Sequence, residues 1–224
     1  MTVRVGTGSE AEEFGVHKAL LAYHSPFFKA ALEGPWKEGC ENMIEFPEDK
    51  PSIFSVYLCW LYETSHPQTL HGQVSECAEE DQCELFGLLT EASEFGNKIL
   101  DFDFCDMIID GLCVHADAVA ACPYGAFSTI WNISAKGSGP RNLILDSFKY
   151  GAPSSWFKVL PTSEFDAELW REIAHVVIVG REEESGTKRA PWRDDTCAYH
   201  YHSNPQKECY KKIREMRDGI PKTA

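Results

Sequence analysis

Four side chains towards the C-terminal end carry the clearest chemistry in the chain. Cys197, His200, His202 and Cys209 stand in the order C-x2-H-x-H-x6-C, within 13 residues. Thiolate sulfur and imidazole nitrogen are the donors zinc prefers, and four of them on one short stretch could close a tetrahedral site around a tight turn. Asn204-Pro205 supplies such a turn between His202 and Cys209. The spacing departs from the standard zinc-finger signatures, so a surface cluster or a packing role is the competing expectation. A metal held by four protein ligands would be structural, because no coordination position is left for water.

The same stretch could in principle pair a thiol nucleophile with a base, Cys197 with His200 or Cys209 with His202. Such catalysis also needs an oxyanion stabiliser and a pocket, and no motif suggests either. Gly6-Thr7-Gly8 leads into an acidic hairpin and lacks the lysine of a nucleotide-binding loop. His17 invites a reading as acid, base or ligand, but no second ligand or carboxylate sits at a useful spacing. It is expected to be buried at a strand-to-helix junction and bonded to backbone. His66 and His71 beside Cys77 and Cys83 are too loosely spaced for a metal site. The chain is therefore read as a non-enzyme with no catalytic residues and no required cofactor, structural zinc being the one cofactor considered.

Composition narrows the function further. At 224 residues, with 43% hydrophobic and 12% aromatic content, the chain has ample material for a packed core. Its formal charge of −14 argues against a surface that tracks phosphates or adsorbs to an anionic membrane. No apolar run approaches the roughly 18 residues that would span a bilayer, and the N-terminal Met-Thr-Val-Arg-Val-Gly lacks the apolar core of a signal peptide. The expectation is a soluble protein of the cytoplasm, the nucleus or both, with neither nucleic acid nor membrane as partner. Its nine cysteines are expected to be reduced, with Cys59 and Cys113 acting as small apolar fillers on helices.

The elements that would position these groups are marked by local signals. Thr2 to Val5 alternates like a strand and turns at Gly6-Thr7-Gly8-Ser9 into a second strand containing Phe14 and Val16. A short helix follows from His17. Ser25-Pro26 starts another, whose Phe27, Phe28, Ala31 and Leu32 form its buried stripe, and Gly34-Pro35 stops it. Met43 to Phe46 is a strand, and Pro51 opens a core helix with Phe54, Tyr57, Leu58 and Leu61 on one face. After the acidic run from Glu76 to Glu84, Leu85 to Phe95 predicts a helix ended by Gly96-Asn97, and Phe104 to Leu112 another. Further helices are predicted over Tyr124 to Ile133, over Arg141 to Phe148, and from Ser163 through Val177.

The motifs Phe14-x-Val16-His17-Lys18-x-Leu20-Leu21, Ser25-Pro26-Phe27-Phe28, Trp36-Lys37-Glu38, Phe46-Pro47-Glu48-Asp49 and Trp60-Leu61-Tyr62 together resemble the BTB/POZ domain, in its fungal form. The resemblance implies an α+β fold in which a short three-stranded sheet is packed by a cluster of helices and followed by an α-helical extension. The implied division is a BTB/POZ-like domain over 1–117, a helical extension over 118–180 and a Cys/His-containing tail over 181–224. Related fungal chains are similar in the Cys, His, His, Cys cluster as well. The function implied is that of a protein–protein interaction module, a scaffold or dimerisation domain without catalytic activity of its own. Trp36 and Glu38 fill the hydrophobic-x-Glu positions through which some members contact a cullin, which makes a substrate adaptor for a ubiquitin ligase the first alternative. A transcription-linked regulator without direct DNA contact is the second. The chain begins almost inside its first strand, so the strand exchange of many animal members is not expected, and homo-oligomerisation is left open.

Overall fold

The computed structural model describes residues 1–33, 42–62, 79–116, 124–154, 156, 167–183, 190–202 and 208–218. Packing groups the chain into two compact units. One holds residues 1–66, 91–105 and 208–224, the other residues 67–90 and 106–207.

The first unit is built on a three-stranded sheet of order β2-β1-β3. In β1 (Thr2–Val5), Val3 and Val5 are fully buried, as period-two alternation requires of one face of a strand. Gly6 and Gly8, both with positive φ, turn the chain through a short 3-10 segment into β2 (Glu12–Gly15). β2 pairs antiparallel with β1, Val3 facing Phe14. On the other side β3 (Met43–Phe46) runs parallel to β1, so Val3 lies beside Ile44 and Val5 beside Phe46, all four buried. Arg4 and Glu45 hold the matching positions on the opposite face, with their side chains 3.9 Å apart. A parallel pair needs a crossover, and α1 (Lys18–His24) and α2 (Pro26–Glu33) occupy that connection.

Ser25 does more than start α2. Its buried Oγ accepts the Phe28 N–H at 3.1 Å and donates to the Ile99 carbonyl at 2.5 Å, tying the helix start to a segment 74 residues away. α3 (Pro51–Tyr62) buries Ile53, Phe54, Tyr57, Trp60 and Leu61. The core beneath the sheet is mainly aromatic, with ring centroids 5.5 Å apart for Phe46 and Phe95 and 5.1 Å for Tyr57 and Phe104. The Tyr57 hydroxyl donates to Asp101 Oδ2 at 3.0 Å, and Asp101 Oδ1 accepts the Phe104 N–H at 3.0 Å, capping the start of α5 (Phe102–Ala116). Burial, reinforced by the Asp101 carboxylate, pushes the Tyr57 phenol far above its ordinary value, so it remains a neutral donor.

α4 (Glu79–Lys98) corrects the expected stop at Gly96-Asn97. The helix runs through both residues and turns at Leu100, which adopts φ +58°. Gly96 has a packing role: a β-carbon there would lie 2.7 Å from Cys105 Sγ and 2.8 Å from a Phe104 ring carbon.

In the second unit, α6 (Tyr124–Ile133) spans the predicted residues. α7 (Gly139–Asp146) starts two residues before the expected Arg141 and passes into a π-helical turn, Ser147–Gly151. At that junction Ser147 Oγ donates to the Leu143 carbonyl at 2.7 Å, a back-bond that competes with the regular helical ladder. Phe148 stands in the turn with its ring 6.0 Å from Phe127 and 5.6 Å from Trp156. α8 (Ala167–Glu183) buries Leu169 and Ile173, while the expected cap at Ser163 lies outside the described residues. α9 (Tyr210–Asp218) belongs to the first unit and sets Tyr210 against Trp60, with centroids 5.3 Å apart. Among the described residues no helix is long and apolar enough to cross a membrane.

Candidate functional site

The loop carrying Cys197, His200 and His202 is fastened at several points within the second unit. Cys197–Tyr199 forms a 3-10 turn whose first N–H is accepted by Asp195 Oδ1 at 2.8 Å. The Tyr199 hydroxyl donates to Asp146 Oδ2 at 2.9 Å. Burial raises the Asp146 carboxyl above its ordinary value, against the opposing pull of Tyr199 and Lys149, and burial with Asp146 keeps the Tyr199 phenol neutral. Backbone approaches backbone closely here, since a β-carbon on Gly139 would fall 2.5 Å from the Tyr199 carbonyl carbon.

Two aspartates one turn apart on α5, Asp106 and Asp110, hold the rest of the loop. Both are buried. Asp110 Oδ1 lies 3.0 Å from His200 Nε2 and also accepts the Thr196 hydroxyl. Asp106 Oδ1 accepts the Tyr201 N–H at 2.5 Å, and the Tyr201 hydroxyl pairs with Ser134 Oγ at 2.9 Å. The His200 side chain is completely buried. His202 is exposed and holds φ +40°, in the left-handed region that residues with a β-carbon rarely adopt.

Of the expected metal ligands, Cys197, His200 and His202 lie on one loop of the second unit, with the His200 and His202 ring centroids 5.2 Å apart, whereas Cys209 belongs to the first unit. Trp36 and Glu38, the expected partner-binding pair, lie outside the described residues, as do His66, His71 and Cys77. His17 differs from its expected setting. It is exposed, and its ring Nδ1 meets the Tyr62 hydroxyl at 2.8 Å while that hydroxyl accepts the His17 N–H at 3.0 Å. The partner is a side chain supplied by the end of α3, which explains how an exposed ring is satisfied. Cys113 is buried as expected, but Cys59 is exposed.

Asp106 and Asp110 escape a reading based on motif spacing because they lie 95 and 90 residues before the groups they hold. A signal was present in the helix itself. An i, i+4 pair of acids in a segment as apolar as Phe104 to Cys113 is costly unless partners are waiting.

A small sheet of one antiparallel and one parallel pairing, backed by helices, defines an α+β class of fold for the N-terminal part of the chain. Residues 1–86 match the BTB/POZ domain family, and this stretch is a BTB/POZ domain. Similar curated proteins agree. TD and POZ domain-containing protein 3 of Mus musculus is 32% identical over 77 residues, covering 34% of this chain and 21% of that protein. TD and POZ domain-containing protein 4 of Mus musculus is 31% identical over 101 residues, covering 45% of this chain and 24% of that protein. The chain thus spans about a fifth to a quarter of the length of these relatives.

Proposed function

We propose that the chain is a non-catalytic recruitment module that binds a protein partner through its BTB/POZ domain in the cytoplasm or nucleus. The match of residues 1–86 to a protein-interaction domain carries this reading. The domain also displays an aromatic suited to an interface, since Tyr23 on α1 is 73% exposed. A finer assignment follows from the loop motif: Trp36 and Glu38 support a cullin as the partner and a substrate adaptor as the role. The fungal character of the domain and a helical extension over 118–180 belong to this finer reading and rest on the sequence motifs. A transcription-linked role would run through a protein contact, because a charge of −14 opposes direct DNA binding.

Affinity capture of the full chain, with light scattering of the purified protein, tests the proposal. A stoichiometric partner or a homodimer is expected. Recovery of a cullin, lost in Trp36→Ala and Glu38→Lys, would support the adaptor role. A strict monomer that captures nothing would contradict the recruitment reading.

A further inference from the structure

We infer that the open edge of β2 takes up an extended, basic segment of a protein partner as a new edge strand of the sheet. This deepens the recruitment reading and rests on it. Met1 and Val16 exchange two bonds at the end of the β1–β2 ladder: the Met1 amino group donates to the Val16 carbonyl at 3.0 Å and the Val16 N–H to the Met1 carbonyl at 2.9 Å. Bonded and non-bonded pairs alternate along an antiparallel ladder. Phe14 and Glu12 therefore bond to Val3 and Val5, while Glu13 and Gly15 turn their N–H and C=O groups away from β1. The Thr2 N–H obeys the same phase, since it donates to the Asn42 carbonyl just ahead of β3. β2 is an outer strand, Glu13 and Gly15 are exposed, and among the described residues no backbone group pairs with that edge.

Charge decides the occupant. Glu12 and Glu13 are exposed on opposite faces of the strand, Glu10 is exposed in the turn before it, and none of the three has an ion-pair partner among the described residues. Arg4, the cation in register with Glu13, lies 3.9 Å from Glu45 instead. A second copy of the chain is disfavoured, because an antiparallel pairing of β2 with itself would bring these acids together. Charged edge residues resist self-association in this way, and the same carboxylates favour a strand with two adjacent basic residues beside Glu12 and Glu13. Phe14, half-buried with its ring centroid 5.0 Å from that of Phe54, calls for an apolar residue next to that basic pair. Gly15 leaves room on the outer face, since a β-carbon there would meet nothing within 4 Å. In strand addition the main-chain bonds supply affinity and the side-chain pattern supplies specificity.

The probe is the acetylated and amidated peptide Thr-Thr-Val-Lys-Lys-Val-Thr-Thr, which presents the same pattern in either strand direction. It is titrated into the full chain, with backbone amides followed by NMR. Binding is expected, with new protection from hydrogen exchange at the Glu13 and Gly15 amides. Joint Glu12→Lys and Glu13→Lys substitution should weaken it at least about tenfold. Gly15→Pro deletes an edge donor without removing a β1–β2 bond, so it should weaken binding at least about tenfold while the β1 amides stay protected. A probe N-methylated at both lysines keeps its charge but loses a ladder donor, and should not bind. No binding, equal binding of the N-methylated probe, or protection elsewhere in the chain would overturn the proposal and leave an edge guarded only against self-association. Partner capture by the full chain separates the edge from the recruitment reading. Capture retained by the double lysine variant would overturn the edge and leave recruitment standing, whereas no capture by the wild-type chain would overturn both. If Gly15→Pro does not fold, the double lysine variant and the N-methylated probe still decide it.

Discussion

Asp101 and Asp110 are both buried acids, and each is satisfied by a hydroxyl as well as by nitrogen. Asp101 receives the Tyr57 phenol and the Phe104 N–H, and Asp110 receives Thr196 and His200. Buried acceptors lose heavily when a donor is removed, because the desolvation cost remains after the bond is gone. Tyr57→Phe, which keeps the ring and deletes only the donor, should therefore lower unfolding free energy by about 1–2 kcal/mol in urea titration. An unchanged midpoint would show that the Tyr57–Asp101 bond contributes nothing. By contrast, Tyr23→Ala should alter stability by less than about 0.5 kcal/mol, as exposed substitutions do, while weakening partner capture. The metal-binding candidates were legible as residues because Cys and His stand close together in the chain. The aspartates that hold them were not, since their phase on α5 looks polar when only Phe104, Met107, Ile108 and Leu112 are taken as the buried face. The helix is in fact buried at every position from Phe104 to Asp110.

At the level of elements, the strands and helices with strong local signals follow from sequence: β1 and β3 through alternation, α2 through Ser25-Pro26, α3 through Pro51 and its aromatic stripe. Gly96 is where local reasoning failed, for a glycine near a helix end suggests a stop, whereas here it lets α4 approach α5. Two glycines on the same helix give a controlled comparison. Gly87→Ala enters open space and should stabilise the chain by up to about 1 kcal/mol through helix propensity. Gly96→Ala gains the same propensity but drives a methyl into Cys105 and Phe104, and overpacking of about 1–3 kcal/mol should dominate. Equal stabilisation by both, measured by chemical denaturation, would refute the close-packing role. The π-helical turn at Ser147–Gly151 was likewise invisible to periodicity, because it depends on the Ser147 back-bond and on the seating of Phe148 against Phe127 and Trp156.

For the whole molecule, the BTB/POZ character of the N-terminal part was readable because five short motifs stand in order, and the four that fall on described residues lie along β2, α1, α2, β3 and α3. The recruitment function is tested most directly by crosslinking mass spectrometry of the full chain captured with its partner. Intermolecular crosslinks should concentrate on Lys18, Lys29, Lys37 and Lys50, the lysines of the BTB/POZ stretch. Crosslinks confined to lysines beyond residue 86, or none to any other chain, would contradict recruitment through this domain.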